Sequence, residues 1–540
     1  MSYVLRPLSY FFLKNSYFYS YAKKSLETMI LFIVSLICAL TAIFLFSYKK
    51  YLITGFFIFC SALFIRFHYI SQDHYLHDFD EKYHALVAKN MMSKPLAPML
   101  RTEPVLDYNY KDWSNNHIWL HKQPLFLWQM AISMKIFGVN EFGLRFPSAF
   151  LCACLTLLLF RMGFLMKKSL VGFCAAMLFS FSFFSIEQTT GAIGMDHNDV
   201  AFLFYVTASI WSLMEYLQNK KWYWLVAIGI FSGAAILVKW LTGLLAYACW
   251  GLFILFTKGR HLRLKDLKAL FLGVAITTCV FLPWQIYIAL HFPLESSYER
   301  EFTNLHVGKA VEGHIGDFTF YFIHFNENYT LFILALLITG IFILVRSSIP
   351  NHFKTIIISG ILIIYFFFSI IVSTKIIGYV FVIAPLIFLA VGFNFDLLLQ
   401  LLSRKINPIF TKVIVFTLLI ISCYFLLKYE TLRKFHERGI AIYNYENISV
   451  KNHNTDIYRK LDTYLKGNYI IFNAKPNEQI EAMFYSDQNI YSICPDSLTI
   501  NELQLQGYKI AAFTDHDDQL LPEHFNNDSE IVIIDMVLKY

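Results

Sequence analysis

A chain of 540 residues that is 57% apolar, only 15% charged and has a mean hydropathy of +0.51 is excluded from the soluble multidomain proteins, because its apolar residues gather in long blocks. The net charge of +7 does not imply nucleic acid: Lys and Arg cluster in short connections between apolar blocks, where they act as topology determinants. The cysteines lie in apolar blocks except Cys494, and no CxxC occurs, which argues against a disulfide framework and a zinc knuckle.

In chain order, apolar runs fall at 28–47, 51–70, 145–162, 169–187, 198–217, 223–239, 241–257, 268–290, 329–346, 355–373, 376–394 and 412–428. Each is close to the roughly 20 residues a bilayer requires, which predicts a polytopic α-helical membrane protein with about 11–13 transmembrane helices. The first run is not followed by a small-residue cleavage site, so a removable signal peptide is not expected. Basic connections at 161–168, 218–222, 257–268, 345–354 and 401–412 are assigned to the cytoplasm by the positive-inside rule. Parity then places 189–199, the tight 239–242 turn, 291–328, 373–375, everything after 428, and the 71–145 loop on the other side. The apolar helix 124–138 lies in that loop and is too short to cross, so it is expected in the membrane plane. Residues 1–27 break the pattern: if both first runs span, this segment lies outside despite Arg6, Lys14, Lys23 and Lys24.

Beyond Leu427 the composition turns polar, and short β-like runs such as "NYIIFNA" and "YKIAAFT" alternate with helical stretches. This predicts a small α/β domain outside the membrane. The expected organisation is an N-terminal segment at 1–50 with an extra transmembrane helix, a membrane domain at 51–428 with juxtamembrane helices in its 71–145 loop, and the α/β domain at 429–540.

Charged groups at membrane depth are costly, so those at the span ends form the candidate list. On the outer side lie Asp78, Asp80, Glu81, His84 and Lys122 of the first loop, then Asp196, His197 and Asp199 of "GMDHND", Lys239, His306, His314 and Lys375. Carboxylates beside isolated lysines suit a site that binds an anionic lipid headgroup and activates a hydroxyl: lysines neutralise phosphate, and one carboxylate takes a proton as general base. Other readings stay open. Asp80 and Glu81 could cap the following helix, Lys239 and Lys375 could snorkel to the interface, and His306 could be a surface histidine. "DHND" has the composition of a metal site, with Asp196 and His197 the candidate ligands of a divalent metal, although adjacent residues seldom share one ion.

The motifs "FDEKYHALVAKNM", "HKQPLFLW", "FGVNEFGLRFPSAF", "GMDHNDVAFLF", "LVKWLTGLL", "FLPWQIYI" and "STKIIGYVFVIAPL", in this order over residues 50 to 395, resemble the polyprenyl-phosphate-sugar-dependent GT-C glycosyltransferases. Within that class the chain is similar to the lipid A aminoarabinose transferase and the bacterial protein mannosyltransferase-like enzymes. The resemblance implies a GT-C-like bundle whose catalytic base falls on Asp80 with Glu81 as its partner. It puts donor phosphate contacts on Lys122 and Lys239, and further substrate contacts on Lys375 and on Asp196 or, less well, Asp199; His306 joins this set from its loop. Departures fall at Gln123, inside the family's Lys-Pro motif, at Trp240 in place of a glycine, and at Tyr83 in place of a basic residue, and they bear on which sugar is used.

The function expected is inverting transfer of a sugar from an undecaprenyl-phosphate carrier to a hydroxyl of lipid A, a glycan or a protein, at the periplasmic face of a bacterial inner membrane. Its partners are that donor, the acceptor and membrane lipids, not nucleic acid. No nucleotide loop is needed for such a donor. The rival is a transporter or flippase of lipid-linked sugars, which should carry its ionisable residues near the bilayer midplane with repeat symmetry.

Overall fold

A computed structural model describes residues 28–191, 197–256, 260–311, 313–428, 448–515 and 520–539. The basic residues of the 1–27 segment and the 429–447 connection fall outside them.

Among the described residues, nine helices are long and apolar enough to cross a membrane, and eleven if two bent pairs each count as one span. The first two, α1 (Thr28–Ser47) and α2 (Tyr51–Ile70), form a hairpin joined by a turn in which Lys49 is left-handed, with φ of 59°. The loop helices α3 (Asp80–Met91) and α4 (Pro124–Phe137) follow. At about 21 Å, α4 is too short to cross the hydrocarbon core. Then come α5 (Glu141–Leu165), α6 (Ser169–Ser180), α7 (Phe183–Thr190), α8 (His197–Asn219) and α9 (Trp222–Lys239).

The run expected as one span at 169–187 is two helices, α6 and α7, meeting at 49°. A broken helix exposes carbonyls that lipid cannot satisfy. Arg66 of α2, wholly buried, supplies the donors: its Nη1 reaches Ser180 O at 3.3 Å, and its Nη2 reaches Phe179 O at 3.4 Å and Ser185 Oγ at 2.9 Å. The second bent pair, Phe320–Asn328 with Leu331–Arg346, turns through 110°, so the later span starts only at Leu331. The run at 376–394 opens with a 3-10 turn, Ile377–Ile383, before Ala384–Leu402 becomes α-helical.

Ion pairs and hydrogen bonds gather the connecting segments into two groups. In one group the basic connections are neutralised by carboxylates on neighbouring helices, in the pairs Arg161–Glu215 at 2.6 Å, Lys168–Asp396 at 2.7 Å and Lys220–Asp266 at 2.7 Å. In the other the first loop, the start of α8, the end of α9, the 291–328 segment and the 373–375 turn come together.

The C-terminal region is a four-stranded parallel sheet ordered β2-β1-β3-β4, from β1 (Tyr469–Phe472), β2 (Asn489–Ile490), β3 (Lys509–Phe513) and β4 (Val532–Ile534). Alternation divides its side chains: Ile470, Phe472, Ile510 and Ala512 pack with Leu503 and Phe525, whereas Ile471, Ala511, Phe513 and Ile534 join the core that continues into the helical bundle. The domain is therefore built onto the bundle through its hydrophobic face.

Helix approach in the bundle depends on small residues. A Cβ on Gly172 of α6 would stand 2.7 Å from Phe160 O and 2.8 Å from Gly163 Cα of α5. Gly172→Leu is expected to force these helices apart and destabilise the protein by at least about 1–3 kcal/mol, read as a lowered thermal midpoint in detergent, whereas Gly251→Ala, in open space within a helix, does not lower it.

Candidate active site

The first turn of α3 presents Asp80, Glu81 and Lys82 at successive steps of about 100°. They therefore enter three different surroundings. Phe79 precedes the helix and makes no side-chain cap, and Asp80 and Glu81 lie inside the first turn, at the positive end of the helix dipole, rather than at the capping position that the alternative reading gives them.

Glu81 points into the bundle and meets Arg145 of α5 through two parallel bonds, Nε to Oε1 at 2.7 Å and Nη2 to Oε2 at 2.9 Å, with both side chains fully buried. The backbone N–H of His77 donates to Oε2 at 2.7 Å, and His197 Nε2 lies 3.1 Å from Oε1. Arg145 spends its remaining donors on Ile70 O, Asp73 O and Tyr75 O, which fixes the path of the chain leaving α2. Burial alone would raise the Glu81 carboxyl, but the Arg145 charge and hydrogen bonds outweigh it and hold the group well below the ordinary carboxylate range. Gly191, with φ of 74°, is required beside it, because a Cβ there would stand 2.6 Å from Oε1.

Asp80 behaves differently. Its side chain is 28% exposed, and Oδ2 lies 3.4 Å from Nζ of Lys122, itself 21% exposed and just ahead of Pro124 at the start of α4. Next to Lys122, His121 stacks on Trp113 with ring centroids 5.3 Å apart and stands 3.4 Å from Glu299, so aromatic residues border this pair.

A second cation–carboxylate pair joins the ends of α8 and α9: Lys239 Nζ lies 2.5 Å from Asp199 Oδ1 and 4.9 Å from the centre of the Tyr379 ring. Lys375 is held otherwise. It is buried, and its ammonium donates to the carbonyls of Phe368 at 2.6 Å, Ser369 at 3.0 Å and Val372 at 2.5 Å, tying off the end of the preceding helix. His306 enters through its backbone, whose carbonyl accepts from Thr374 N at 3.2 Å, while its ring packs against Phe302. These contacts join the long loop to the 373–375 turn.

Asp196 lies outside the described residues. His197 engages both ring nitrogens, Nε2 with Glu81 and Nδ1 with Ser148 Oγ at 2.8 Å, and a metal would have to displace one of these partners. Among the described residues no three His, Cys, Asp or Glu side chains converge as a metal-holding group. Asp80 with Lys122, and Asp199 with Lys239, are brought together as pairs; Glu81 and Lys375 are committed to protein partners.

Arg145 escaped the reading of the sequence as a site residue. Its signal was a lone guanidinium at the start of an apolar run, "FGLRFPSAF", which a membrane protein tolerates only with a buried partner.

Removing one member of the Glu81–Arg145 pair strands the other charge in the bundle. Arg145→Met is expected to cost about 3–5 kcal/mol, whereas Asp80→Asn changes stability by less than about 1 kcal/mol, both measured by thermal unfolding in detergent. Because the Glu81 carboxyl is depressed on folding, its stabilisation is complete above the ordinary glutamate range and is lost as the pH falls toward the folded value. Glu81→Gln should therefore flatten the acid limb of the stability profile.

Compared with known proteins, residues 121–287 match the family model described as dolichyl-phosphate-mannose-protein mannosyltransferase. That segment contains Lys122, Arg145, His197, Asp199 and Lys239, and begins downstream of Asp80. An uncharacterized protein of Aquifex aeolicus is 35% identical over 130 residues, 23% of this chain, and the match spans about a quarter (24%) of that protein. Among solved structures, ArnT from Cupriavidus metallidurans in the apo state matches over 85% of this chain and 88% of its own, at 14% identity and a TM-score of 0.56. The same protein bound to undecaprenyl phosphate matches at 15% identity and 0.54, over the same shares of both chains. The archaeal oligosaccharyltransferase AglB from Archaeoglobus fulgidus, in complex with an inhibitory peptide and a dolichol-phosphate, matches over 82% of this chain and 65% of its own, at 11% identity and 0.51. The chain is a multi-pass membrane protein with the fold of these solved structures, and over residues 121–287 it is similar to the mannosyltransferase family, in keeping with the order of its motifs.

Proposed function

We propose that the protein transfers a sugar from an undecaprenyl-phosphate carrier to an acceptor hydroxyl, of lipid A, a glycan or a protein, with inversion at the anomeric carbon and at the periplasmic face of the inner membrane. The observation that carries the reading is the difference between two adjacent carboxylates: Asp80 is accessible and 3.4 Å from Lys122, whereas Glu81 is buried against Arg145. The carrier is supported by the solved GT-C structures that bind undecaprenyl phosphate or dolichol-phosphate.

In this mechanism the Asp80 carboxylate takes the proton of the acceptor hydroxyl as its oxygen bonds to the anomeric carbon. The bond from that carbon to the carrier phosphate breaks, and its electron pair leaves on the phosphate. That leaving group needs charge stabilisation more than a proton, which Lys122 and Lys239 supply by turning from Asp80 and Asp199 to the phosphate oxygens. A retaining double displacement needs a second carboxylate close by. Glu81 does not serve, since both its oxygens are occupied by Arg145, His77 and His197. It acts as a positioning residue, and Lys375 does the same for the 373–375 turn.

The test is turnover of labelled undecaprenyl-phosphate sugars by purified protein in lipid, with an acceptor extract. Asp80→Asn is expected to slow release of undecaprenyl phosphate by about 10²–10⁴-fold while still binding donor. Lys122→Met is expected to lower turnover by about 10²–10³-fold, as loss of a transition-state charge contact does. Absence of turnover by the wild type, with movement of lipid-linked sugar between the leaflets of a vesicle, would replace this reading with a transporter.

A further inference from the structure

The third residue of the α3 first turn, Lys82, enters neither the bundle nor the site. It is buried beneath the C-terminal domain, where it pairs with Asp78 and with Glu481 Oε2 at 3.2 Å. Lys451 of the helix Ile448–Tyr458 completes the cluster, 3.1 Å from Asp78 Oδ1 and 3.8 Å from Glu481 Oε2. Glu481 is oriented in turn by Thr455 Oγ1 at 2.7 Å. Neighbouring Glu478 accepts from Asn454 at 2.9 Å and from Tyr458 at 2.5 Å.

Two further ties run across the same boundary. Lys89, near the far end of α3, donates to the carbonyls of Met483, Phe484 and Ser486, and so caps the helix Gln479–Tyr485. Arg459 reaches Glu141 at 2.5 Å, at the start of the helix that carries Arg145.

A surface that only needed covering would be served more cheaply by apolar residues, because buried charges lose their hydration and regain it only in well-formed pairs. What a buried ion cluster supplies is a defined orientation. Here Asp78 and Lys82 stand two residues before and two after Asp80, and both are held from the C-terminal domain. Glu81 is held from the other side by Arg145. The turn is fixed on two of its three faces, and the third carries Asp80 toward Lys122.

We propose that the C-terminal α/β domain is a positioning element for the proposed catalytic base: through Lys451 and Glu481 it grips Asp78 and Lys82 and sets the rotation of the turn that aims Asp80 at Lys122. The proposal rests on Asp80 being the reactive carboxylate, but its geometric content can be measured without turnover.

The experiment uses the full chain in lipid nanodiscs and compares wild type with Lys451→Met, Glu481→Gln and Lys451→Arg. Hydrogen exchange over residues 76–91 reports the hold on α3. Acylation of Lys122 by a small amine-reactive reagent, located by mass spectrometry, reports its pairing with Asp80, with Asp80→Asn as the reference for a broken pair. Lys451→Met and Glu481→Gln are expected to raise exchange at 76–91 at least tenfold and Lys122 labelling toward the Asp80→Asn rate, with kcat down at least tenfold and donor KM within twofold. Lys451→Arg, which keeps the charge, should restore all of these. Wild-type exchange and labelling in Lys451→Met and Glu481→Gln would overturn the proposal. So would an increase in exchange in strands β1 and β3 as large as that at 76–91, since the variants would then have unfolded the domain rather than released the turn. If the wild type turns over no donor yet exchange and labelling respond as expected, the enzymatic reading fails and the positioning role stands.

Discussion

The structure hangs on one buried ion pair, Glu81 with Arg145. Two charges in a bundle of apolar helices are stable only if each oxygen and each N–H finds a partner, and here both oxygens of Glu81 and both terminal nitrogens of Arg145 do. The pair fastens the loop after α2 to the start of α5 and fixes the first turn of α3 between them. It also requires Gly191 at the end of α7, and it brings in His197 from the start of α8. Four separate stretches of sequence are thus registered against one carboxylate, and the position of Asp80 follows as a consequence.

The same constraint governs other charged groups. Arg66 meets the carbonyls left open where α6 and α7 part, and Lys375 meets those at the end of the helix before it. In each case the buried cation stabilises backbone that has left regular helix. Basic residues at the opposite end instead pair with carboxylates on neighbouring helices, as Arg161, Lys168 and Lys220 do. An apolar chain can therefore contain a polar site because its irregular backbone is satisfied by its own side chains.

Against this background Asp80 stands out because its carboxylate is more exposed than those of the other pairs described, at 28%. The geometry of its pair with Lys122 is that of a contact ready to be exchanged: 3.4 Å, partly exposed, between groups on separate segments. Lys239 and Asp199 are closer at 2.5 Å and link the ends of two antiparallel helices, so releasing that lysine to a phosphate would also loosen the junction of α8 and α9.

The sequence alone determined the membrane character, the approximate positions of most of the apolar helices and the C-terminal α/β region, although the run expected as a span at 241–257 is a shorter apolar helix, Leu241–Phe256. These rest on hydropathy, length and charge, which are properties of consecutive residues. It also assigned the candidate site residues to a common side, since "FDEK", "HKQP" and "LVKW" all stand at span ends or in loops assigned there. Only the tertiary structure decided which of two adjacent carboxylates is accessible, because a turn of about 100° on α3 separates the Arg145 environment from the Lys122 environment. It decided likewise that Lys375 holds carbonyls, that the apolar run at 169–187 is bent beside Arg66, and that Lys451 and Glu481 of the last domain reach back to the first loop. Each depends on partners more than a hundred residues apart or on the precise end of a helix, and packing fixes these where composition and spacing do not.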